Sequence, residues 1–281
     1  MDINLRNLLS KHGILLKKAY GQNFLTDNSL LEDIVEKSGV TSSDTVLEIG
    51  CGAGALTQVL CRQAKRVVGY EIDIRLRPVL NDVLSSFSNV EIVFNDVLKE
   101  KISDIERKLG DDYIIVANLP YYITTPIVMQ FIENAKRLKA MIIMVQEEVA
   151  LRFVSKPSTS DYGAITVGIN LRGQAELVLK VGREKFSPPP NVDSAVVKIT
   201  MDNEKNSNED FSAIRNVVKC GFSNRRKMFI NNIINTYKLN RDFVESIFIQ
   251  ANLPLDVRGE NLSAEQYVLL TNTLNNNGVK I

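Results

Sequence analysis

Residues 45–55 have the sequence TVLEIGCGAGA, in which a run of β-branched and leucine residues passes directly into a turn containing three glycines. A helical pattern at Leu56–Ala64 follows this turn. The order strand, glycine turn, helix is typical of the first unit of a doubly wound sheet, where the backbone approaches a ligand closely. The stretch therefore predicts an α/β fold with a nucleotide-like ligand at the turn. The spacing Gly50-x-Gly52-x-x-Ala55 also satisfies the dinucleotide fingerprint, so the loop alone leaves the identity of the ligand open.

Short β-branched runs recur between stretches of helix length, which is typical of a parallel sheet built from right-handed crossovers. The runs predicted as strands are Thr45–Ile49, Arg66–Glu71, Val90–Phe94, Tyr113–Ala117 and Ala140–Val145. Two further strand-like stretches, Ala164–Leu171 and Ser194–Thr200, have no convincing helix between them and suggest an antiparallel edge. The first 200 residues are therefore predicted to form one Rossmann-like domain.

The character of the chain changes after residue 200. Residues 201–210, MDNEKNSNED, are polar enough for a solvated hinge. Beyond them, apolar residues recur at helical spacing over 211–235, 240–251 and 261–274. We therefore predict two domains, 1–200 and a small all-helical C-terminal domain at 201–281.

The composition excludes several classes of protein. The 281 residues are 44% hydrophobic and 24% charged, as is usual for globular domains. The longest apolar run, Ala140–Val145, is far shorter than the roughly 18 residues of a membrane span. Asp2, Arg6 and Lys11 interrupt the N-terminus where a secretory signal needs an apolar run, so we expect a cytoplasmic protein. With one histidine and no C-x-x-C pair, we expect no metal site.

Charge is informative only locally. The net charge of +1 predicts no nucleic-acid partner from the whole-chain balance. Residues 3–26 and 215–227, however, contain basic side chains and no acidic ones. These segments are either phosphate contacts or solvated helical faces.

Polar residues also end the later strands: Glu71 ends the second, Asp96 the third and Asn118 the fourth. Because the carboxyl ends of parallel strands meet at one edge of the sheet, these side chains and Glu48 are predicted to converge on one crevice. Glu71 follows Gly50 by about 20 residues, where a carboxylate accepts hydrogen bonds from a ribose. Both NAD and S-adenosylmethionine contain that ribose.

Asn118-Leu119-Pro120-Tyr121 is the most specific local motif. An exocyclic adenine amine is a poor nucleophile, so a site that methylates it must favour the pyramidal nitrogen of the transition state. The Asn118 side-chain oxygen and the Leu119 carbonyl can accept hydrogen bonds from such an amine, and Pro120 favours extended geometry at Leu119. Tyr121 offers a ring for base stacking, although a packed tyrosine in an ordinary turn is the alternative.

These motifs resemble those of the ribosomal RNA adenine N6-dimethyltransferases, in order and over nearly the whole chain. The blocks that carry the resemblance are GQNFL at 21–25, EIGCGAGA at 48–55, NLPYY at 118–122, FSPPPNVDS at 186–194 and RRK at 225–227. The residues at Asn118–Tyr121 and the prolines at 188–190 resemble the small-subunit (16S) branch more than the large-subunit, macrolide-resistance branch. Met228-Phe229 departs from the family pattern and affects only details of RNA contact.

The resemblance implies a function and a set of site residues. It implies S-adenosylmethionine as cofactor and dimethylation of two adjacent adenosines in a hairpin near the 3′ end of 16S rRNA, within small-subunit particles during ribosome biogenesis. We expect a monomer that uses neither a membrane nor a metal. The cofactor contacts carried over are Asn23, Leu25, Gly50, Glu71, Asp96 and Asn118. The contacts to the target base are Asn118, Tyr121 and, as a second aromatic wall, Phe186, while Arg225, Arg226 and Lys227 would contact RNA phosphates.

Three other functions stay open at this point. A large-subunit (23S) rRNA methyltransferase of the macrolide-resistance type differs mainly in its substrate. A nicotinamide oxidoreductase would use the same glycine loop, but the single histidine, His12, lies far from the sheet edge in sequence. A ribosome-assembly factor would bind the particle without catalysis.

Overall fold

The computed structural model describes residues 3–14, 24–25, 27–207 and 209–281. The chain forms two compact units. One comprises Met1–Ala150 and Ala175–Asn203, and the other comprises Leu151–Gln174 and Glu204–Ile281. This division differs from the predicted boundary at residue 200, because residues 151–174 leave the α/β unit and join the helical one.

The helices and strands are numbered in chain order. They are α1 (Ile3–Lys11), β1 (Phe24–Leu25), α2 (Asn28–Ser38), β2 (Thr45–Ile49), α3 (Ala55–Gln63), β3 (Arg66–Glu71), α4 (Arg77–Val83), β4 (Val90–Phe94), α5 (Ile102–Leu109), β5 (Tyr113–Asn118), α6 (Thr124–Asn134), β6 (Leu138–Gln146), α7 (Glu147–Phe153), α8 (Ala164–Arg172), β7 (Gly173–Val181), β8 (Phe186–Ser187), β9 (Ser194–Met201), α9 (Phe211–Ser223), α10 (Phe229–Tyr237), α11 (Arg241–Gln250) and α12 (Ala264–Asn276).

The α/β unit is built on a sheet of seven described strands in the order β4-β3-β2-β5-β6-β9-β7. The pairs from β4 to β6 are parallel, and β9 runs antiparallel to β6. The predicted Rossmann-like α/β fold and its antiparallel strand are therefore confirmed. Central β2 is buried along its whole length, and Leu31 of α2 and Leu60 of α3 pack with its Val46. This packing fixes the strand ends against which the site is built.

One predicted strand is wrong. Ala164–Leu171 belongs to helix α8, and the edge strand is the following segment, β7. The β-branched residues suggested a strand, but tertiary packing overrides that preference. Val167 and Leu171, four residues apart, are both buried in the core of the helical unit, and this spacing places them on one helical face.

The stretch 211–235, which shows helical spacing in the sequence, contains two helices, α9 and α10. Residues 224–228 turn between them, and the Lys227 N–H donates to the Asn224 carbonyl over 3.1 Å. The Phe229 N–H donates to the Val257 carbonyl over 2.8 Å, so its partner comes from a distant loop rather than from a continuous helix. None of the helices in the described ranges combines the length and the hydropathy that crossing a bilayer requires.

Candidate active site

A pocket of about 290 Å³ opens at the carboxyl edge of the parallel strands. Four strand ends contribute polar side chains to its lining: Glu48 from β2, Glu71 from β3, Asp96 after β4 and Asn118 from β5. The structure thus brings together the four residues that the strand order predicted to converge. The parallel register of these strands is the physical reason.

The turn after β2 requires glycine at two positions that line the pocket. Gly50 has φ +82°, and a Cβ there would lie 3.7 Å from the Asn118 carbonyl oxygen. Gly52 has φ +56°, and a Cβ there would lie 3.0 Å from the Phe24 ring. Both backbone angles are unfavourable for residues with a side chain. The glycines therefore keep the backbone exposed to the pocket.

Glu71 holds this turn in place. Its Oε2 accepts a hydrogen bond from the Gly52 N–H and its Oε1 accepts one from the Asp73 N–H, each over 2.8 Å. Burial raises the pKa of the Glu71 carboxyl. The Ile72 N–H also stabilises the carboxylate, and since a carboxylate offers about four acceptor positions, one remains for a ligand hydroxyl. Sequence reasoning assigned Glu71 to the ligand and missed its second task at the glycine turn.

Glu48 is the most unusual group in the pocket. Its side chain is 1% exposed, and neither carboxylate oxygen has a hydrogen-bond partner in the described part of the chain. Thr57 Oγ1, also buried, has no partner within hydrogen-bond distance there either, although the Thr57 hydroxyl and the Cys51 thiol are near enough to oppose the rise in the pKa of Glu48. Burial raises the pKa of Glu48 to about 8, so the folded protein keeps this carboxyl largely protonated at neutral pH. A buried acid that no described residue hydrogen-bonds suits a ligand that brings positive charge.

Asp96 and Ile72 form another part of the wall. Asp96 Oδ1 accepts a hydrogen bond from the Leu98 N–H over 3.1 Å and caps a short 3-10 helix at Val97–Lys99. Asp96 therefore has a structural role in addition to lining the pocket. Ile72, 50% exposed, lines the pocket directly after Glu71 and was not predicted. The sequence feature that could have predicted this position is an apolar residue directly after the acidic residue that ends a strand.

The loop after β5 presents the Asn118–Tyr121 motif to the pocket. The Leu119 side chain is buried, and its N–H donates to the Met144 carbonyl over 3.4 Å. No residue of the described ranges donates to the Leu119 carbonyl oxygen. The half-buried Tyr121 has its hydroxyl 2.9 Å from Ser194 Oγ, and burial raises the pKa of its phenol. The neighbouring Tyr122, 61% exposed, also lines the pocket.

Phe186 is 4% exposed and packs in the core beside Val181, and it is not among the described residues that line the pocket. It pairs in β8 with Leu25 of β1, which does line the pocket. Asn23 lies outside the described residues.

The predicted RNA-contacting residues lie in the helical unit, and their environments differ. Arg225 Nε donates to Glu260 Oε2 over 2.8 Å and a terminal nitrogen donates to the Ser160 carbonyl over 3.2 Å. Arg226 and Lys227 are exposed, and neither side chain has a hydrogen bond or ion pair with any described residue. Glu260 is 35 residues from Arg225 in sequence, so local reasoning did not reveal this ion pair.

Two described basic residues near the N-terminus pair with an acidic side chain of α4. In the N-terminal basic segment, Lys11 Nζ and His12 Nε2 contact Asp82 Oδ2 over 2.6 and 3.0 Å. Lys17 and Lys18 of that segment are not within the described ranges. Over the part of the chain that the structure describes, no group of three or more His, Cys, Asp or Glu residues is placed to hold a metal ion.

Comparison with known proteins agrees with this geometry. The family model for ribosomal RNA adenine dimethylase matches residues 13–276. Ribosomal RNA small subunit methyltransferase A of Bacillus licheniformis is 40% identical over 279 residues, which cover 97% of this chain and 96% of the relative. The protein of the same name from Shouchella clausii is 41% identical over 274 residues, covering 95% and 92%.

Solved structures show the same relationship. A dimethyladenosine transferase from Plasmodium falciparum superposes with a TM-score of 0.80 at 25% identity, covering 91% of this chain and 98% of that one. The 23S rRNA methyltransferase ErmE superposes with a TM-score of 0.66 at 28% identity, covering 90% and 100%. The family model and the relatives span nearly the whole chain and agree with the motifs that line the pocket. This chain therefore belongs to the ribosomal RNA adenine dimethylase family and is a methyltransferase.

Proposed function

We propose that this protein transfers methyl groups from S-adenosylmethionine to the N6 amines of two adjacent adenosines in a hairpin near the 3′ end of 16S rRNA, acting on small-subunit particles during ribosome biogenesis. The observation that carries the proposal is one pocket in which Asn118–Tyr121 lies beside Glu71 and Asp96. A methyl acceptor and a ribose-containing donor can thus occupy the same crevice. The relatives named small subunit methyltransferase A support the choice of particle.

The pocket residues fit S-adenosylmethionine. This cofactor supplies an electrophilic methyl group when it is bound. Glu71 would accept hydrogen bonds from the ribose, and Asp96 would accept one from the adenine amine. Ile72 offers the adenine an apolar surface. The buried carboxyl of Glu48 has no hydrogen bond from the described residues, and it supports a site for a cationic ligand because an added positive charge favours its ionised form.

The remaining cofactor contacts are proposed from family resemblance. Asn23 and Leu25 would contact the methionine end, and Gly50 would pass closest to the middle of the molecule. Leu25 already lines the pocket, which supports this assignment.

At the acceptor end, Asn118 and Leu119 would align the target amine. Their oxygens would accept its two hydrogen bonds and direct its lone pair towards the methyl group, so catalysis rests on positioning. The Leu119 carbonyl has no donor among the described residues, which supports this role. Tyr121 would stack on one face of the adenine, and we propose that Phe186 forms the second aromatic wall around the base. The methylated nitrogen then loses a proton to water, so no general base is required.

We propose that the helical unit contacts RNA phosphates through Arg225, Arg226 and Lys227. Arg226 and Lys227 should contribute more than Arg225, because their side chains are exposed and form no ion pair with any described residue. We propose that the protein acts as a cytoplasmic monomer. The target adenine must leave its stack to enter the pocket, at a cost of a few kcal/mol. A folded ribosomal particle that presents the adenines would reduce that cost.

Methyl transfer from labelled S-adenosylmethionine tests the proposal. The substrates are unmethylated small subunits, large subunits and protein-free rRNA, with the modified nucleoside identified by mass spectrometry. We expect N6,N6-dimethyladenosine only with small subunits, and Asn118→Ala should abolish it. Asn134→Ala, which changes an exposed asparagine on α6, serves as the matched control. Absence of transfer to any substrate would refute the proposed activity.

A second candidate is the large-subunit substrate, favoured by the structural similarity to ErmE. Label confined to large-subunit RNA would establish it in place of the small-subunit function. Unmodified protein that binds the particle and labels no substrate would favour the assembly-factor function.

A further inference from the structure

We propose that Ser194 is a positioning residue whose hydroxyl holds the ring of Tyr121 in the orientation that stacks on the target base. This inference deepens the proposed function and rests on it. The carrying observation is the contact of 2.9 Å between Tyr121 Oη and Ser194 Oγ. Ser194 is 0% exposed, so water does not compete for its hydroxyl.

The topology of the sheet explains how Ser194 reaches the site. Ser194 is the first residue of β9 and pairs with Gln146, the last residue of β6. Since β9 is antiparallel to β6, its beginning, and not its end, lies at the carboxyl edge where the pocket opens. The antiparallel strand therefore places a side chain near a site otherwise built from the ends of parallel strands.

The backbone around Ser194 is anchored on its N-terminal side. The Glu147 N–H donates to the Asp193 carbonyl over 3.0 Å. The Arg183 N–H donates to Asp193 Oδ1 over 3.0 Å. Asp193 thus forms hydrogen bonds with two separate segments, and from Ser194 onwards the backbone pairs with β6. The serine hydroxyl consequently occupies a defined position.

The loop that carries Tyr121 is also fixed through its backbone. The Leu119 N–H donates to the Met144 carbonyl over 3.4 Å, and the Ile123 N–H donates to the Pro120 carbonyl over 3.1 Å. Thr124 Oγ1 donates to the same Pro120 carbonyl over 3.2 Å. The ring itself has a single hydrogen bond within the described structure, the one to Ser194. Removal of that bond frees the ring torsions while the loop stays in place.

A ring held in one orientation reduces the ordering cost when a base stacks on it. Loss of the Ser194 hydroxyl should therefore affect transfer to RNA and spare the cofactor end of the pocket, since the cofactor contacts come from other strands. A merely structural role would weaken folding and cofactor binding together. The two roles are separable by measurement.

The experiment is a double-mutant cycle on the full chain with unmethylated small subunits. Ser194→Ala, Tyr121→Phe and the double variant are compared for kcat/KM of transfer, for the Kd of S-adenosylmethionine by calorimetry and for Tm. We expect each single variant to lower kcat/KM roughly fivefold, the size of one neutral hydrogen bond, with the cofactor Kd unchanged. The double variant should lose no more than either single one. Ser38→Ala removes an equally buried serine hydroxyl in α2 and controls for the loss itself.

The outcomes are distinguishable. Unmodified protein that transfers to no particle overturns the proposed function and this inference with it. Active protein with Ser194→Ala at full kcat/KM overturns the inference alone, as do fully additive losses in the double variant. If Ser194→Ala does not fold, Tyr121→Phe decides, because unchanged transfer in that variant shows that the phenol hydroxyl has no positioning role.

Discussion

Replacement of Glu48 by glutamine should change how stability depends on pH. Glu48 has a folded-state pKa of about 8 against an ordinary value of 4.5. Between these values the unfolded chain has released a proton that the folded protein retains. The stability contribution of the group is therefore complete below about pH 4.5, falls as pH rises, and is lost above pH 8. Glutamine has nearly the same shape and does not titrate.

The magnitude follows from the pKa difference. Each unit of difference between the folded and unfolded pKa values corresponds to about 1.4 kcal/mol. Titration of the Glu48 carboxyl should therefore lower the free energy of unfolding by about 2–3 kcal/mol between about pH 5 and pH 7. The difference between Glu48→Gln and the unmodified protein should grow by that amount over the same interval. It should level off above about pH 8, where both states of the unmodified protein are ionised.

Urea unfolding followed by far-ultraviolet circular dichroism measures this difference, since the chain has no tryptophan to report by fluorescence. The other titrating groups are common to both proteins and largely cancel in the comparison. Glu36→Gln, on an exposed position of α2, controls for the loss of one carboxylate. A stability difference that stays constant from pH 5 to pH 8 would refute the argument that Glu48 is buried as a neutral acid.

Three further variants test other parts of the structure. Gly52→Ala should weaken S-adenosylmethionine binding measured by calorimetry, because its Cβ would meet the Phe24 ring at 3.0 Å and its φ is positive; unchanged affinity would show that the turn tolerates a side chain. Arg226→Met should leave Tm unchanged and reduce the salt dependence of particle binding by about one phosphate contact. Arg225→Met should also lower the stability of the helical unit, because it breaks the pair with Glu260; equal Tm values for these two arginine variants would contradict the assigned environments.

Much of the α/β unit was predictable from local patterns. The predicted strands 45–49, 66–71 and 90–94 have the observed bounds, since short apolar runs between turn residues specify buried parallel strands. The convergence of Glu71, Asp96 and Asn118 followed from strand order, because parallel strands end at a common edge. These features depend on residues that are neighbours in sequence or on a rule that applies to the whole fold class.

Contacts between distant segments were not predictable in this way. Residues 164–171 form a helix because their apolar face packs into the core of the helical unit, and no local signal outweighed their β-branched residues. The pairing of Arg225 with Glu260 and the burial of Phe186 depend in the same way on residues far along the chain.

The sequence by itself determined the fold class, the glycine turn, the polar strand ends and the family, because each is encoded in spacing along a short stretch or in ordered motifs. Only the tertiary structure decided which polar side chains form hydrogen bonds or ion pairs and which are buried without them. Glu48 is buried at the end of β2 without a hydrogen bond from any described residue, and Tyr121 meets Ser194 because β9 runs antiparallel to β6. Burial and long-range contact depend on how the chain packs, which the order of residues along a single stretch does not express.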